Sequence, residues 1–306
     1  KPLAAEPRGQ LGLYSAECCV AYNLLKLTRH IYAWNADPRA FDYYERTLYN
    51  ARLGTQDAQG LKLYYYPLAA GSAKFYNSPE HSFWCCTGSG AEEFARFNDS
   101  IYFHDGRALY VNLFIPSELA WPEHGLTLRQ DTRFPREPRT ALALRLAAPA
   151  RFAIHLRIPA WIADGGSVRV NGQPLEAFGS PGSYLAIERE WRDGDRIELA
   201  LPMRLSSVAL PGDDKLRAML YGPLVLAARL GSEGLSRAQQ YGEYNAGPDP
   251  APKPRPAPRI APPGADSAKD AWIGVDSAAE LRFTAATEGR ATPAIPLNQI
   301  QGERYA

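Results

Sequence analysis

The 306-residue chain contains four cysteines, and they occur as two pairs of direct neighbours, Cys18 with Cys19 and Cys85 with Cys86. Adjacent cysteines bond to each other poorly, because neighbouring side chains diverge and a disulfide has strict geometric requirements. Two separated pairs therefore indicate thiols gathered around something else. A soft divalent ion such as zinc binds thiolate, imidazole and carboxylate ligands. Glu17, beside the first pair, is placed to supply a carboxylate.

The same cysteines also fit explanations that need no metal. Free cysteine is among the most buried residue types and often packs as a small hydrophobe. Zinc sites usually separate paired cysteines by two to four residues, and neither pair has this spacing. Thiol redox chemistry is the least favoured reading, because the Cys-x-x-Cys form is absent. Spacing alone leaves metal binding and core packing open.

Composition and charge exclude several classes of partner. Hydrophobic residues make up 45% of the chain and charged residues 22%, which is typical of a globular protein. A net charge of +1 does not favour nucleic acid or an anionic membrane surface. No apolar run in the sequence approaches the length of a membrane span. The length suffices for two or three domains.

Apolar residues at helical spacing predict two helices in the first part of the chain. The stripes are Val20, Leu24, Leu27, Ile31 and Trp34 in the first helix and Phe41, Tyr44, Leu48 and Ala51 in the second. Ser15 is the predicted N-cap of the first helix, and the link 35–38 makes an antiparallel pair. Residues two apart point to different sides of a helix, so Glu17 and Cys19 can share a metal only if the helix begins here. A third helix is predicted after Cys86.

From residue 100 the apolar period changes to two, which predicts β-strands. Hairpin turns are predicted at Asp105 with Gly106 and at Asn171 with Gly172. Two strand faces are predicted to be apolar, one with Leu142, Leu144 and Leu146, the other with Phe152, Ile154, Leu156 and Ile158. Repeated short strands joined by such turns predict a β-sandwich.

A second β unit is predicted from about Leu205, with residues 216–230 as its strongest strand region. Eight prolines lie between residues 248 and 263. Because proline cannot join the interior of a sheet, this stretch is expected to be an extended surface loop.

Several motifs resemble the cysteine-type zinc β-L-arabinofuranosidases, the glycoside hydrolase family 127 and 146 group. Residues 17–30 read ECCVAYNLLKLTRH and resemble the Glu-x-Cys helix of that family. Four later segments resemble family stretches in the same order: 64–68 (YYYPL), 82–92 (SFWCCTGSGAE), 101–103 (IYF) and 221–225 (YGPLV). The likeness covers nearly the whole chain, and the combination of Glu-x-Cys with a downstream Cys-Cys-x-Gly is specific.

The resemblance implies a multidomain α plus β fold. Residues 1–99 are expected to form the C-terminal part of an (α/α)6 catalytic barrel. Residues 100–203 are expected to form a first β-sandwich and residues 204–306 a second one that contains the proline-rich loop 248–263. Family members carry several hundred residues before the Glu-x-Cys helix. The chain therefore resembles a carboxy-terminal portion, and the missing amino-terminal part of the same barrel is its expected partner.

The resemblance also implies a ligand set and a nucleophile. Zinc is expected on Glu17, Cys19, Cys85 and Cys86, with Cys18 as a bystander. Cys85 corresponds to the catalytic nucleophile of a retaining glycoside hydrolase that releases β-L-arabinofuranose, or a closely related sugar, from plant-type glycans. A metal ion or a helix N-terminus favours the thiolate that such attack requires.

A retaining glycosidase also needs a general acid. In the family this is a glutamate just upstream of the Glu-x-Cys motif. Glu6 is the only acidic residue before that motif, and it is interpreted as a surface-loop residue. The general acid is therefore expected to be absent from this chain, which is expected to be inactive alone.

Other polar and aromatic residues are weaker candidates. Tyr65 and Tyr66 belong to an aromatic, irregular segment that either packs down as a loop or forms a cleft wall for sugar C–H groups. His81, close to the second cysteine pair, either contacts substrate or serves as a structural hydrogen-bond partner. Asp42 and Glu45 are interpreted as solvated residues on a helix face.

An alternative function is a non-catalytic fragment with a structural zinc–thiolate site and β-sandwiches that bind carbohydrate or support the fold. The upstream sequence separates the two hypotheses, since the enzyme needs the remaining helices and a glutamate there. A homodimer is one option for the assembly. Cysteine usage leaves bacterial cytoplasm and periplasm open.

Overall fold

The structure, a computed structural model, describes residues 9, 11–243, 251–260, 272–288 and 290–306. Within these residues the α-helices are α1 Cys18–Asn35, α2 Pro38–Thr47 and α3 Cys85–Arg96. Four short strands precede α1 or lie between α2 and α3 in the chain: β1 Ala16–Glu17, β2 Tyr65–Tyr66, β3 Ser72–Ala73 and β4 Tyr76–Asn77. Strands β5 to β22 follow α3. The described fold is therefore mostly β with few helices, and none of these helices is long and apolar enough to span a membrane.

Helix α1 begins at Cys18, which is the start that a metal shared by Glu17 and Cys19 would require. Strand β1 pairs antiparallel with β2, and Glu17 lies opposite Tyr65 in that register. Glu17 is thus held in extended backbone, and helical geometry starts at Cys18. The predicted cap is wrong, because Glu17 and not Ser15 precedes the helix. The Ser15 hydroxyl instead accepts a hydrogen bond from the Gly12 N–H at 3.1 Å.

The predicted apolar stripe of α1 is a helical stripe, but it faces outward. Its exposure runs from 39% at Ile31 to 80% at Trp34, with Val20, Leu24 and Leu27 in between. The buried positions of α1 are Cys18, Tyr22, Leu25 and Tyr32. Both sets have helical spacing, so periodicity identified the helix and could not identify which of its two apolar faces packs against the rest of the chain.

The remaining helix predictions agree with the structure in part. The link after Asn35 ends α1, Pro38 starts α2, and the Tyr32 and Phe41 rings of the two helices meet edge to face with centroids 4.7 Å apart. Helix α3 begins earlier than predicted, at Cys85 itself. The second cysteine pair therefore lies in the first helical turn, with Gly88 and Gly90 inside the helix.

Chain contacts divide the molecule into two compact units that are discontinuous in sequence. Unit 1 contains the described residues up to Lys26, together with Arg46–Phe94 and the chain from Leu205 onward. Unit 2 contains Leu27–Glu45 and Ala95–Arg204. The sequence-based boundaries at residues 99 and 203 remain a prediction.

Unit 2 contains two sheets. Its strands are β5 Tyr102–His104, β6 Ala108–Val111, β7 Ser117–Trp121, β8 Leu126–Thr132, β9 Arg139–Leu146, β10 Ala150–Ile158, β11 Ser167–Val170, β12 Gln173–Pro174, β13 Ser183–Trp191 and β14 Arg196–Ala200. Four strands run in the order β13-β10-β6-β5 and six in the order β12-β11-β14-β9-β8-β7. The predicted apolar faces of β9 and β10 are buried. Trp121 of the larger sheet packs on Phe152 of the smaller, with ring centroids 5.5 Å apart.

The predicted hairpin turns are present. Gly106 at φ +87° joins the antiparallel pair β5 and β6. Asn171 and Gly172, at φ +53° and +77°, join β11 and β12. Two successive residues with positive φ give the primed turn whose twist suits a hairpin.

Within unit 2, Asp42 and Glu45 of α2 belong to a buried charge network, although both were expected to lie in solvent. Glu45 and Arg157 have side chains with 0% exposure. The Arg157 guanidinium lies 2.7 Å from Asp42 Oδ1 and 2.7 Å from Glu45 Oε1. It also donates to the Asn112 carbonyl at 2.7 Å, and the Trp161 indole N–H donates to Glu45 at 2.7 Å. The solvated interpretation of Asp42 and Glu45 is wrong, because their partners come from residues more than 100 positions away in the chain.

The C-terminal strands belong to unit 1. They are β15 Leu205–Leu210, β16 Asp213–Tyr221, β17 Leu224–Gly231, β18 Tyr241–Gly242, β19 Ile273–Ser277, β20 Arg282–Thr287, β21 Arg290–Pro296 and β22 Arg304–Tyr305. Six of them form the order β15-β16-β17-β21-β20-β19, and β22 joins β17 to β3. Strand β18 pairs with β4. Strands β22 and β18 therefore hold β3 and β4, which belong to the aromatic segment between the two cysteine pairs.

Part of the proline-rich segment lies in the described residues. Residues 251–260 carry no strand beyond an isolated bridge at Ile260, and the Arg255 N–H donates to the Gly71 carbonyl at 3.1 Å. Gly71 has φ +80°, and a Cβ there would lie 1.8 Å from the Arg255 carbonyl oxygen, so only glycine fits. Residues 248–250 and 261–263 of the predicted loop, and Glu6, lie outside the described residues.

Candidate metal centre

The beginnings of α1 and α3 bring four side chains together. One ligand atom each from Glu17, Cys19, Cys85 and Cys86 lies within 4.8 Å of all the others. Cys19 Sγ is 3.1 Å from Cys86 Sγ, and Cys85 Sγ is 4.0 Å from Cys86 Sγ. Cys85 Sγ lies 3.8 Å from Glu17 Oε1. These are the four residues that the resemblance implied as ligands.

The spacing around Cys85 Sγ is close to that of a tetrahedral zinc site. Two sulfurs that each lie about 2.3 Å from one zinc ion are about 3.8 Å apart. The Cys85 Sγ to Cys86 Sγ distance of 4.0 Å is close to that spacing. The Cys85 Sγ to Glu17 Oε1 distance of 3.8 Å is close to the spacing of about 3.6 Å expected for a sulfur and an oxygen on one zinc ion. The Cys19 to Cys86 contact of 3.1 Å is a tighter thiol–thiol approach. Three sulfurs and one carboxylate are also the ligand types that zinc prefers.

The Tyr64 carbonyl and the Ser89 hydroxyl, which the sequence did not indicate, connect the first cysteine pair with the second. The Tyr64 carbonyl accepts from the Cys18 N–H at 2.9 Å and from the Cys86 thiol at 3.5 Å. The Ser89 hydroxyl lies 2.9 Å from Cys19 Sγ and donates to the Cys85 carbonyl at 2.8 Å. Ser89 follows Cys85 by one helical turn, and that spacing is the signal that could have indicated it. A backbone carbonyl leaves no such signal.

Burial acts against thiolates in this cluster. It raises the pKa of the Cys86 thiol far above its usual range and also raises the pKa of Cys19. The hydrogen bond with Cys85, the largest cause, raises the pKa of the Tyr64 hydroxyl. Because metal ligation needs deprotonated sulfur, these thiols require a cation beside them in order to ionise.

Cys18 lies outside the cluster of four candidate ligands, as expected for a bystander. Its side chain is buried in an apolar cluster with Leu63, Tyr66 and Tyr76. Burial, the largest cause, raises the pKa of the Cys18 thiol to about 12. A buried neutral thiol of this kind packs as a small hydrophobe.

The three candidate substrate contacts occupy different environments. Tyr65 is half-buried, lies opposite Glu17 in the strand register, and meets the Tyr14 ring edge to face at 5.7 Å. Tyr66 is buried, and its hydroxyl donates to the Leu297 carbonyl at 3.2 Å. His81 is exposed beside Glu80, with His81 Nε2 3.8 Å from Glu80 Oε2. The placement of Tyr66 in the core does not fit a cleft wall, whereas Tyr65 lies beside the cluster.

The different environments of Cys18 and Cys19 predict different mutants. Cys19→Ser is expected to weaken zinc binding strongly, because it removes one of four ligands. Cys18→Ser is expected to leave zinc stoichiometry unchanged, since its sulfur lies in the apolar cluster. Elemental analysis of both variants after dialysis against a competing chelator measures the effect. Zinc loss from Cys18→Ser with retention by Cys19→Ser would show that the ligand register is wrong.

A carboxylate and three thiols at the starts of two helices, in a mostly β chain, define a protein with a candidate soft-metal centre. Two family models match the chain. The catalytic domain of GH127 β-L-arabinofuranosidases matches residues 6–99, and the GH127 middle domain matches residues 108–203. The chain belongs to the GH127 β-L-arabinofuranosidase family.

Individual relatives agree with this family. A non-reducing end β-L-arabinofuranosidase from Bifidobacterium longum subsp. longum is 26% identical over 212 residues, which is 61% of this chain and 31% of the relative. The crystal structure of a GH127 β-L-arabinofuranosidase from Geobacillus stearothermophilus T6 has a TM-score of 0.64 at 23% identity, covering 74% of this chain and 38% of that one. A GH127 β-arabinofuranosidase structure has a TM-score of 0.69 at 21% identity, covering 96% and 49%.

The chain thus spans about a third of the curated relative's length and less than half of each of these two solved structures. At these identities the structural likeness shows the fold.

Proposed function

We propose that the protein containing this chain is a retaining glycosidase that releases β-L-arabinofuranose, or a closely related sugar, from plant-type glycans, with Cys85 as nucleophile. The exposure of Cys85 is the observation that carries the proposal. Of the four cysteines, Cys85 alone is exposed. Its sulfur is nevertheless within 4.0 Å of Cys86 Sγ and 3.8 Å of Glu17 Oε1. Cys85 can therefore meet a substrate while it remains part of the cluster.

The proposed reaction is a double displacement. The Cys85 sulfur attacks the anomeric carbon, so that a C–S bond forms as the glycosidic C–O bond breaks. The leaving oxygen takes a proton from the general acid, which is predicted to lie upstream of the Glu-x-Cys motif. Water then attacks the same carbon, gives its proton to that group, and displaces the sulfur. Two inversions at one carbon give net retention.

The side chains around Cys85 have separate roles in this proposal. Glu17, Cys19 and Cys86 would hold a zinc ion together with Cys85, and bound zinc would supply the positive charge that favours a thiolate. The Tyr64 hydroxyl hydrogen-bonds to Cys85 and can orient its sulfur. The N-terminus of α3 adds a partial positive charge through the helix dipole. Tyr65, half-buried beside Glu17, is the best placed of the predicted substrate contacts.

We propose the finer architecture on the same basis. Residues 1–99 would complete an (α/α)6 barrel with an amino-terminal part, followed by β-sandwiches at 100–203 and 204–306. The exposed face of α1 supports a helical partner, because a row of large apolar side chains marks an interaction surface. The ends of the two family-model matches, at residues 99 and 203, support the first two divisions.

Covalent trapping tests the nucleophile. The complete protein is treated with a sugar analogue that carries a haloacetamide at the anomeric position, and its peptides are analysed by mass spectrometry. We expect one adduct, on Cys85, because its sulfur is exposed whereas Cys18 and Cys86 are buried. Excess L-arabinose should slow the modification, and Cys85→Ala should abolish it. Iodoacetamide without the sugar serves as the control for general thiol reactivity.

An adduct on a carboxylate, with Cys85 unmodified, would contradict the proposal. The cysteines would then form a structural metal site, as in the non-catalytic alternative.

A further inference from the structure

A buried arginine connects the two segments that supply the cluster. Arg52 ends the π-helical turn Leu48–Arg52 that follows α2, and its side chain is 1% exposed. Its Nη1 group donates to the Cys18 carbonyl at 2.8 Å. Cys18 stands between Glu17 and Cys19, so the guanidinium holds the backbone of the first half of the cluster.

The other side of the same guanidinium holds α3. Arg52 Nε donates to Glu93 Oε2 at 2.5 Å, and Glu93 is also 1% exposed. Glu93 follows Cys86 by seven residues, two helical turns, so both side chains lie on one face of α3. The contact between Arg52 and Glu93 therefore fixes the position of α3, the helix that begins with Cys85 and Cys86.

The energy of the buried ion pair between Arg52 and Glu93 favours a positioning role over a purely stabilising one. The desolvation of a buried ion pair largely offsets its Coulomb attraction, and apolar residues of similar volume often stabilise a fold as well or better. The guanidinium differs from such residues in its planar fork, which fixes two acceptors at a set distance and angle. Here the two acceptors are the Cys18 carbonyl and the Glu93 carboxylate.

We propose that Arg52, through Glu93, is a positioning residue that sets the separation of Glu17 and Cys19 from Cys85 and Cys86, and so determines the affinity and geometry of the metal centre. The inference rests on the proposed function, because it takes these four residues as the ligands. Partners of this kind, which orient ligands without touching the metal, typically contribute about 10–100-fold to metal affinity.

The test compares wild type with Arg52→Lys, Glu93→Gln and the double variant Arg52→Met/Glu93→Leu. Lysine keeps the charge and loses the fork, and the double variant removes both buried charges while keeping apolar volume. Zinc affinity is measured by chelator competition, and coordination geometry by the visible spectrum of the Co²⁺-loaded protein. Thermal unfolding of the metal-free proteins monitors the fold. Arg157→Lys is the matched control, because Arg157 is equally buried and paired with carboxylates but belongs to unit 2.

We expect about 10–100-fold weaker zinc binding and an altered Co²⁺ spectrum for Arg52→Lys and for the double variant, with a smaller change for Glu93→Gln. Arg157→Lys should lower the unfolding temperature without changing the metal spectrum or affinity. Wild-type zinc affinity and a wild-type Co²⁺ spectrum in both Arg52 variants would overturn the positioning role of Arg52 and would leave the proposed metal centre unaffected. Failure of the wild type to bind zinc or Co²⁺ would overturn the proposed metal centre and this inference with it.

Discussion

If the proposed function is correct, Cys85→Ser in the complete protein is expected to lower kcat for an activated aryl β-L-arabinofuranoside by about 10⁴-fold or more. The serine hydroxyl is far less ionised than the thiol and is a poorer zinc ligand, so the change would impair both the proposed attack and the proposed metal site. The position is specific, because Cys85 is the exposed cysteine of the cluster. Steady-state kinetics and zinc content are measured on the same preparation, so that loss of metal and loss of chemistry can be separated.

Cys18→Ser is the matched control for this experiment, since its sulfur lies in the apolar cluster with Leu63 and Tyr66. We expect its kcat to stay within a few-fold of wild type. Activity of Cys85→Ser within about tenfold of wild type would assign the nucleophile to another residue.

The largest expected loss of stability is for Arg157→Ala. The change leaves Glu45, which is fully buried, without its ion-pair partner and also breaks the contact with Asp42. Removing one partner of a buried pair typically costs about 3–5 kcal/mol, because the remaining charge stays desolvated. Urea unfolding followed by tryptophan fluorescence measures the change in the free energy of unfolding.

Arg151 on the same strand provides the comparison. Its side chain is 70% exposed and lies 3.3 Å from Glu188, which is 65% exposed. An exposed pair of this kind contributes about 0.2–1 kcal/mol, so Arg151→Ala should have a small effect. Equal losses for the two variants would show that the buried network contributes no more than a surface pair.

Local sequence signals predicted the features that depend on a few neighbouring residues. Asn171 with Gly172 determines a hairpin because both positions require positive φ, and the structure has them at +53° and +77°. The alternation in β9 and β10 predicted which strand faces are buried. Glu17 and Cys19 restricted where α1 could begin if they share an ion, and the helix begins at Cys18.

The residues of α1 could not predict which of its two faces is buried. The helix has two apolar faces, and the one with the larger aliphatic stripe, ending at Trp34, is exposed. For the same reason Glu45 looked like a solvated residue, although Arg157 and Trp161 bury it. Helical periodicity describes a face, whereas the partners of that face come from other segments, which for Glu45 lie more than 100 positions away.

The sequence by itself determined the chemical character of the site: vicinal cysteines that pair poorly with each other, a neighbouring carboxylate, and a family motif that links them. Tertiary structure alone brought Cys19 to within 3.1 Å of Cys86, 67 residues away, and buried Arg52 against Cys18 and Glu93. The physical reason is that residue type and short-range spacing restrict only local backbone geometry. Distances between segments depend on packing and on buried charges, whose partners no local pattern identifies.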